Sequence, residues 1–169
     1  MEVEVFRGKF FRVTTEELTS GARYERVYQR PGVTVLPVTD DGRIMFVRVV
    51  TITNPSPRIR TLSGYVENNE EPLECAKREL AEELGLVAEY WMLFTIAQSE
   101  GDGGLYKNQY IFVARNLRLF EGEVHKDPHE ITSPAYFTFE EAKVRALQEE
   151  FGTREDGFAL LRFLLEVGG

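Results

Sequence analysis

The sequence predicts an α+β or a layered α/β/α domain, with the first thirty residues a candidate for a separate small sheet. Three observations lead there. Short alternating or β-branched runs fill residues 3–50, and the apolar period changes to three and four over 72–84. Further β-rich runs then precede two helical patterns at the end of the chain. A length of 169 residues favours a single domain, long enough to bury a real core.

Val3, Val5, Phe11 and Val13 alternate with polar neighbours, and Gly8 and Ser20-Gly21 mark turns. Residues 1–30 are therefore expected to form the N-terminal antiparallel strands, and 31–169 the main domain. Val33–Val38 and Ile44–Val50 flank Asp40-Asp41-Gly42, which predicts a hairpin. Asn54-Pro-Ser-Pro57 is expected to be a loop, because two prolines do not fit a central strand. Leu73, Ala76, Leu80 and Leu84 share one face of a helix over 72–84, with Pro72 at its first position and Gly85 just past its end. β-rich runs follow around 91–97 and 109–114, separated by the glycine-rich segment 99–104. Thr138 and Glu141 form a capping-box pattern for a helix reaching about residue 150. Thr153 and Asp156 look similar ahead of a last helix carrying Phe158, Leu161, Leu164 and Leu165.

Twenty Lys and Arg stand against 28 Asp and Glu, a net charge of −8. Such a chain repels a phosphate backbone unless its basic residues cluster, and no such cluster shows in the sequence, so nucleic acid is not expected as the main partner. A small phosphate ester held through a divalent metal stays compatible, since the metal reverses the local sign. One cysteine, Cys75, excludes an intrachain disulfide and suits a reducing compartment. No leader pattern and no run of about 18 apolar residues is found, so a cytoplasmic location without a membrane partner is expected.

The predicted helix presents Glu79, Glu82 and Glu83 at i, i+3 and i+4, on one face. Clustered carboxylates repel one another. A hard divalent cation with oxygen ligands would offset that, and so would a simple solvated acidic face. The flanks bear on the choice. Gly64-Tyr-Val-Glu-Asn-Asn-Glu70 is followed, after seven residues, by Arg78-Glu79-Leu80-Ala81-Glu82-Glu83-Leu84-Gly85-Leu86. This matches G-x5-E-x7-R-E-U-x-E-E-x-G-U, with U a bulky aliphatic, at every specified position. The chance of that is on the order of one in 10⁸ at ordinary residue frequencies. The segment resembles the signature of the Nudix hydrolases.

That resemblance implies a Nudix-type α/β/α sandwich with a mixed sheet. It also implies metal-dependent hydrolysis of the pyrophosphate bond of a nucleoside diphosphate linked to another group. Glu79 and Glu83 resemble the family's main metal ligands, and Glu82 its auxiliary ligand or base. The backbone carbonyl of Ser63 matches a further ligand. Gly64, Glu70, Arg78 and Gly85 are structural parts of the box, with Glu70 pairing Arg78. The implied cofactor is Mg²⁺, with Mn²⁺ as a substitute. A carboxylate outside the helix often handles the attacking water. The candidates are Glu121, Glu123, Asp127 and Glu130, with Glu130 favoured, Asp127 second, and His129 as a neighbouring alternative.

Beyond the box, the layout resembles the ADP-ribose pyrophosphatase branch, whose members usually dimerise through the N-terminal strands. A homodimer is therefore expected. Two departures stand out. Phe46-Val-Arg-Val-Val-Thr51 replaces a Leu-Val-Arg-Gln-Tyr-Arg-like strand, and Thr61-Leu-Ser-Gly64 replaces Glu-Leu-Pro-Ala-Gly. Arg58 and Arg60 are expected to grip the phosphate or a sugar-linked anion in place of the missing contacts. Tyr65 and Tyr106 are candidates for stacking on a base, and Trp91 and Cys75 are assigned to structure. The expected substrate is a nucleoside diphosphate sugar or an ADP-ribose-like compound. The alternatives are a (d)NTP or dinucleoside polyphosphate pyrophosphohydrolase, a non-catalytic nucleotide-sensing Nudix domain, and isopentenyl diphosphate isomerase.

Overall fold

Runs that are apolar on both faces need cover on both, and among the described residues two sheets and three helices provide it. The computed structural model describes residues 1–51, 54–100, 104–123, 130–148, 151 and 154–167. The larger sheet is mixed. It runs β1 (Glu2–Arg7), β2 (Phe11–Glu17), β3 (Arg23–Gln29), β9 (Leu105–Leu119), β4 (Gly32–Pro37) and β7 (Leu62–Tyr65), with β8 (Leu86–Glu100) also paired to β9. The smaller sheet is antiparallel, with β5 (Ile44–Thr51) between β10 (Glu130–Phe137) and β6 (Asn54–Arg60).

Helix α1 (Pro72–Leu84) covers one side of β4 and β9. Its Cys75, Ala76 and Leu80 pack with Val33, Val35, Leu62 and Phe112. Helices α2 (Phe139–Leu147) and α3 (Arg154–Val167) cover the other side, where Leu36, Ile111 and Val113 meet Ala142, Leu160 and Phe163. The α/β/α layering and the mixed sheet agree with the sequence expectation.

The N-terminal strands form an antiparallel meander. It joins the larger sheet through two parallel pairs, Val27 with Leu105 and Tyr28 with Tyr106. Residues 1–30 thus extend the main sheet rather than forming one apart.

Three expectations are corrected. The first is the hairpin across 40–42. The turn closes, with the Thr39 amide donating to the Arg43 carbonyl at 2.8 Å, but its arms share only the Val38–Ile44 bridge and then enter different sheets. The strand of each arm has its two edges occupied by other strands, β4 by β9 and β7 and β5 by β10 and β6, so no edge is left for the hairpin ladder. The second concerns Asn54–Pro57, which belongs to strand β6. That strand is an edge, and its pairing with β5 is irregular between Val49 and Thr51, so both prolines fall where no ladder bond is demanded. The third is the buried face of α3. Ala159, Leu160, Phe163 and Leu164 are buried while Phe158 and Leu165 are exposed, because small Ala159 lets the helix approach its neighbours closely. Thr153 lies outside the described residues.

Phe163 is fully buried, with its ring 5.5 Å from that of Phe94 and 5.9 Å from that of Phe139. Phe163→Ala removes this plug and leaves a cavity, so it destabilises the fold by about 3–5 kcal/mol, read by chemical denaturation.

Candidate active site

The box helix starts and stops where its residues dictate. Pro72 takes the first helical position, where its missing N–H is no loss, and Glu71 before it is extended. Gly85 ends the helix in the left-handed region at φ 66°, with its amide donating to the Ala81 carbonyl at 2.9 Å. One face is anchored by Leu80 against Leu62 and the valines of β4. The other presents Glu79, Glu82 and Glu83, whose side chains are 13%, 27% and 12% exposed.

Gly64 makes room for this face. A Cβ built there would lie 1.8 Å from Glu79 Oε1 and 2.7 Å from its Cγ, so any side chain would expel the carboxylate. Ser63 precedes it on β7, paired with Thr34.

Arg78 organises the acids. Its Nε donates to Glu70 Oε1 at 2.9 Å and its Nη2 to Glu70 Oε2 at 3.1 Å, a two-pronged contact between helix and loop. Its Nη1 bridges Glu79 Oε1 at 2.8 Å and Glu82 Oε2 at 3.0 Å. The Tyr65 carbonyl also accepts from it, at 3.3 Å. Glu70 accepts from the Glu67 amide as well, and Arg78 foremost holds its carboxyl below the usual range. Glu79 behaves oppositely, because burial raises its pKa despite Arg78 beside it. Arg60, arriving on β6, donates through Nη2 to Glu83 Oε1 at 2.9 Å. Four carboxylates thus face two guanidinium groups, an excess of two negative charges.

Of the other candidates, Arg58 is exposed on β6, two positions from Arg60. Glu130 opens β10, its backbone paired with Thr51. It stands two positions before Thr132, whose hydroxyl donates to the Glu83 carbonyl at 3.4 Å. Asp127 and His129 lie outside the described residues, and Glu121 and Glu123 are exposed. Tyr65 accepts from Gln29 at 2.7 Å, and Tyr106 stacks on Tyr28 at 4.8 Å. The contacts of Arg60 and Thr132 with Glu83 were not foreseen from the sequence, since nothing in the local pattern says that β6 and β10 flank the end of α1.

The residues present suit a hard divalent cation. Three carboxylates and a strand carbonyl are oxygen donors only, the ligand type that a hard divalent cation takes. Among the described residues no three acidic, His or Cys side chains converge on one point; Glu79 and Glu82 are paired with Arg78, and Glu83 with Arg60. A cation would have to draw Glu83 from Arg60.

Cys75 is buried under this network, and burial pushes its thiol up to about 12. The folded state therefore holds that proton more tightly than the unfolded chain, whose thiol titrates near about 8.5. This contribution to stability is complete below that value and is lost as pH rises through about 12. Cys75 is expected to resist thiol reagents at pH 8 until the protein unfolds, checked by chromogenic titration with and without denaturant.

Fold and site together define a class. The NUDIX domain family model matches residues 28–164, and the chain belongs to that family of hydrolases. It is 31% identical over 143 residues to the ADP-ribose pyrophosphatase of Bacillus subtilis (strain 168), an alignment spanning 82% of this chain and 77% of the relative. Its fold superposes on a crystal structure of an ADP compounds hydrolase with a TM-score of 0.74, at 21% identity, over 98% of this chain and 90% of the other. A NUDIX hydrolase from Nitrosomonas europaea superposes with a TM-score of 0.61, at 18% identity, over 82% and 89%.

Proposed function

We propose that the protein hydrolyses the phosphoanhydride of a nucleoside diphosphate linked to a second group, an ADP-ribose-like compound or another nucleoside diphosphate sugar, with Mg²⁺ and with Mn²⁺ as a substitute. The observation that carries this is the excess of negative charge on one face of α1, cradled over Gly64. The relative named ADP-ribose pyrophosphatase supports the substrate class.

Glu79, Glu82, Glu83 and the Ser63 carbonyl would hold the cations, which would supply charge neutralisation at the diphosphate and acidify a water. Glu70 and Arg78 fix the loop and aim the helix carboxylates. Arg60 and Arg58 grip phosphate oxygens from β6. Water oxygen bonds to one phosphorus, the bridging P–O bond breaks, and the water's proton passes to a carboxylate. Glu82, Glu130 and Asp127 are the candidates for that carboxylate. Gly85 sets where the helix ends.

The exposed edge strand β1 and the exposed Val3, Val5, Phe6 and Phe11 support a homodimer through the N-terminal strands. The free thiol supports a cytoplasmic location, and the acidic balance supports a small-molecule partner rather than nucleic acid.

The test is a panel of nucleoside diphosphate sugars, ADP-ribose, dinucleoside polyphosphates and (d)NTPs with Mg²⁺, products identified by mass spectrometry. A nucleoside monophosphate from the first two classes is expected. Preferential cleavage of the last two would replace the substrate assignment. Nucleotide binding without cleavage would make the domain a sensor.

A further inference from the structure

The N-terminal meander assembles a feature that the overall charge conceals. The turn between β1 and β2, the end of β3 and Asn68 of the box loop enclose a cavity of about 470 Å³. Arg7, Lys9, Arg12 and Arg30 line it, and among the described residues no acidic one does. This gathers four cations in a chain of net charge −8. Acids outside the lining offset part of this charge: Glu4 takes Arg7 in a two-pronged pair, Oε1 accepting from Nε at 2.9 Å and Oε2 from Nη2 at 2.5 Å, and its Oε2 lies 3.9 Å from Arg12 Nη1, while Glu2 also acts on Arg12. Arg30 Nη2 donates to Asn68 Oδ1 at 2.9 Å, which orients the guanidinium without neutralising it.

The aromatic residues in the wall narrow the ligand class. Tyr28 is flanked by the Arg12 guanidinium, 4.0 Å from its ring centroid, and by the stacked ring of Tyr106. Phe10 is flanked by Lys9 at 5.1 Å and by the Tyr65 ring at 4.9 Å. These rings steady the cations and offer little face to a base. Recognition here rests on charge and on guanidinium forks, which fit phosphate oxygens.

We propose that this cavity is a second anion site, which takes a phosphate or diphosphate group without a metal ion. It adjoins the box. The Val66 amide donates to the Pro31 carbonyl at 3.0 Å, and Asn68 stands two residues before Glu70, which holds Arg78. An anion on Arg30 competes with Asn68 and so touches the loop that fixes the catalytic helix.

Removing divalent metal isolates the site, because the bare carboxylates of α1 repel phosphate. Calorimetric titration of the full chain with inorganic phosphate, pyrophosphate and ADP in EDTA at low salt is expected to show one binding event that weakens as salt rises. Lys9→Gln, at an exposed position, and Arg30→Gln, at a half-buried one beside Asn68, are each expected to weaken it about tenfold, Lys9→Gln without shifting Tm. Equal binding of all three ligands assigns a single-phosphate site, and preference for pyrophosphate and ADP a diphosphate site. No binding in EDTA, or binding unchanged in both variants, overturns the proposal. Hydrolysis in Mg²⁺ is read separately, so a failed anion site leaves the proposed activity standing, and the reverse.

Discussion

Glu83→Gln is expected to lower kcat at least about a hundredfold while leaving the fold intact, a loss of about 2.7 kcal/mol of transition-state stabilisation. The amide keeps the side chain's size but loses the charge that a divalent cation needs. Glu83 lies at the C-terminal end of α1, 12% exposed, where its carboxylate is shared with Arg60. Its environment limits water access, so solvent does not replace the missing ligand. Glu82→Gln is expected to match it. Steady-state kinetics at saturating Mg²⁺, with thermal unfolding as the control, gives the answer. Wild-type turnover in both variants would remove these residues from the chemistry.

Arg78→Gln has the largest expected effect on stability. One guanidinium contacts Glu70, Glu79 and Glu82, and the first two carboxylates are 16% and 13% exposed. Removing it leaves like charges crowded and poorly solvated, which costs several kcal/mol when fully buried and about 2–3 kcal/mol here, given the partial exposure. Tm then falls by about 5–10 °C. The pH dependence has a definite sign. Arg78 lowers the folded pKa of Glu70, so this stabilisation is present above the unfolded carboxyl value of about 4.3 and is lost as pH falls through the lower folded value. The gap between wild type and variant is widest near neutrality and narrows on acidification below about pH 4. A gap independent of pH would mean that Arg78 acts by packing alone.

Local chemistry explains what could be read from the chain. Pro72 and Gly85 bracket α1 at the expected bounds, and Thr138 with Glu141 forms the expected capping box. The spacing of Gly64, Glu70, Arg78 and the three glutamates announced their grouping, because a helix places i, i+3 and i+4 together. Sequence reasoning failed where tertiary demands override local ones. The Asp-Gly turn pointed to a paired hairpin, but its arms take their ladder partners elsewhere, β4 from β9 and β7 and β5 from β10 and β6. β8 and β9 run to 15 residues each, well past their apolar centres, since pairs such as Glu89 with Arg118, 2.6 Å apart, extend the ladder with polar residues. Arg60 reaches Glu83 only because β6 flanks β5 in the smaller sheet. The basic cavity escaped notice for the same reason, since Arg30 joins residues 7–12 only once β2 and β3 have paired.

The central claim is that α1 gathers divalent cations on its acidic face. Titrating the protein with Mn²⁺ and reading the free ion by electron paramagnetic resonance tests it without any substrate. At least one ion is expected to bind the wild type, with affinity reduced about tenfold or more by Glu79→Gln and by Glu83→Gln in folded protein. Equal Mn²⁺ binding by the wild type and both variants would contradict it.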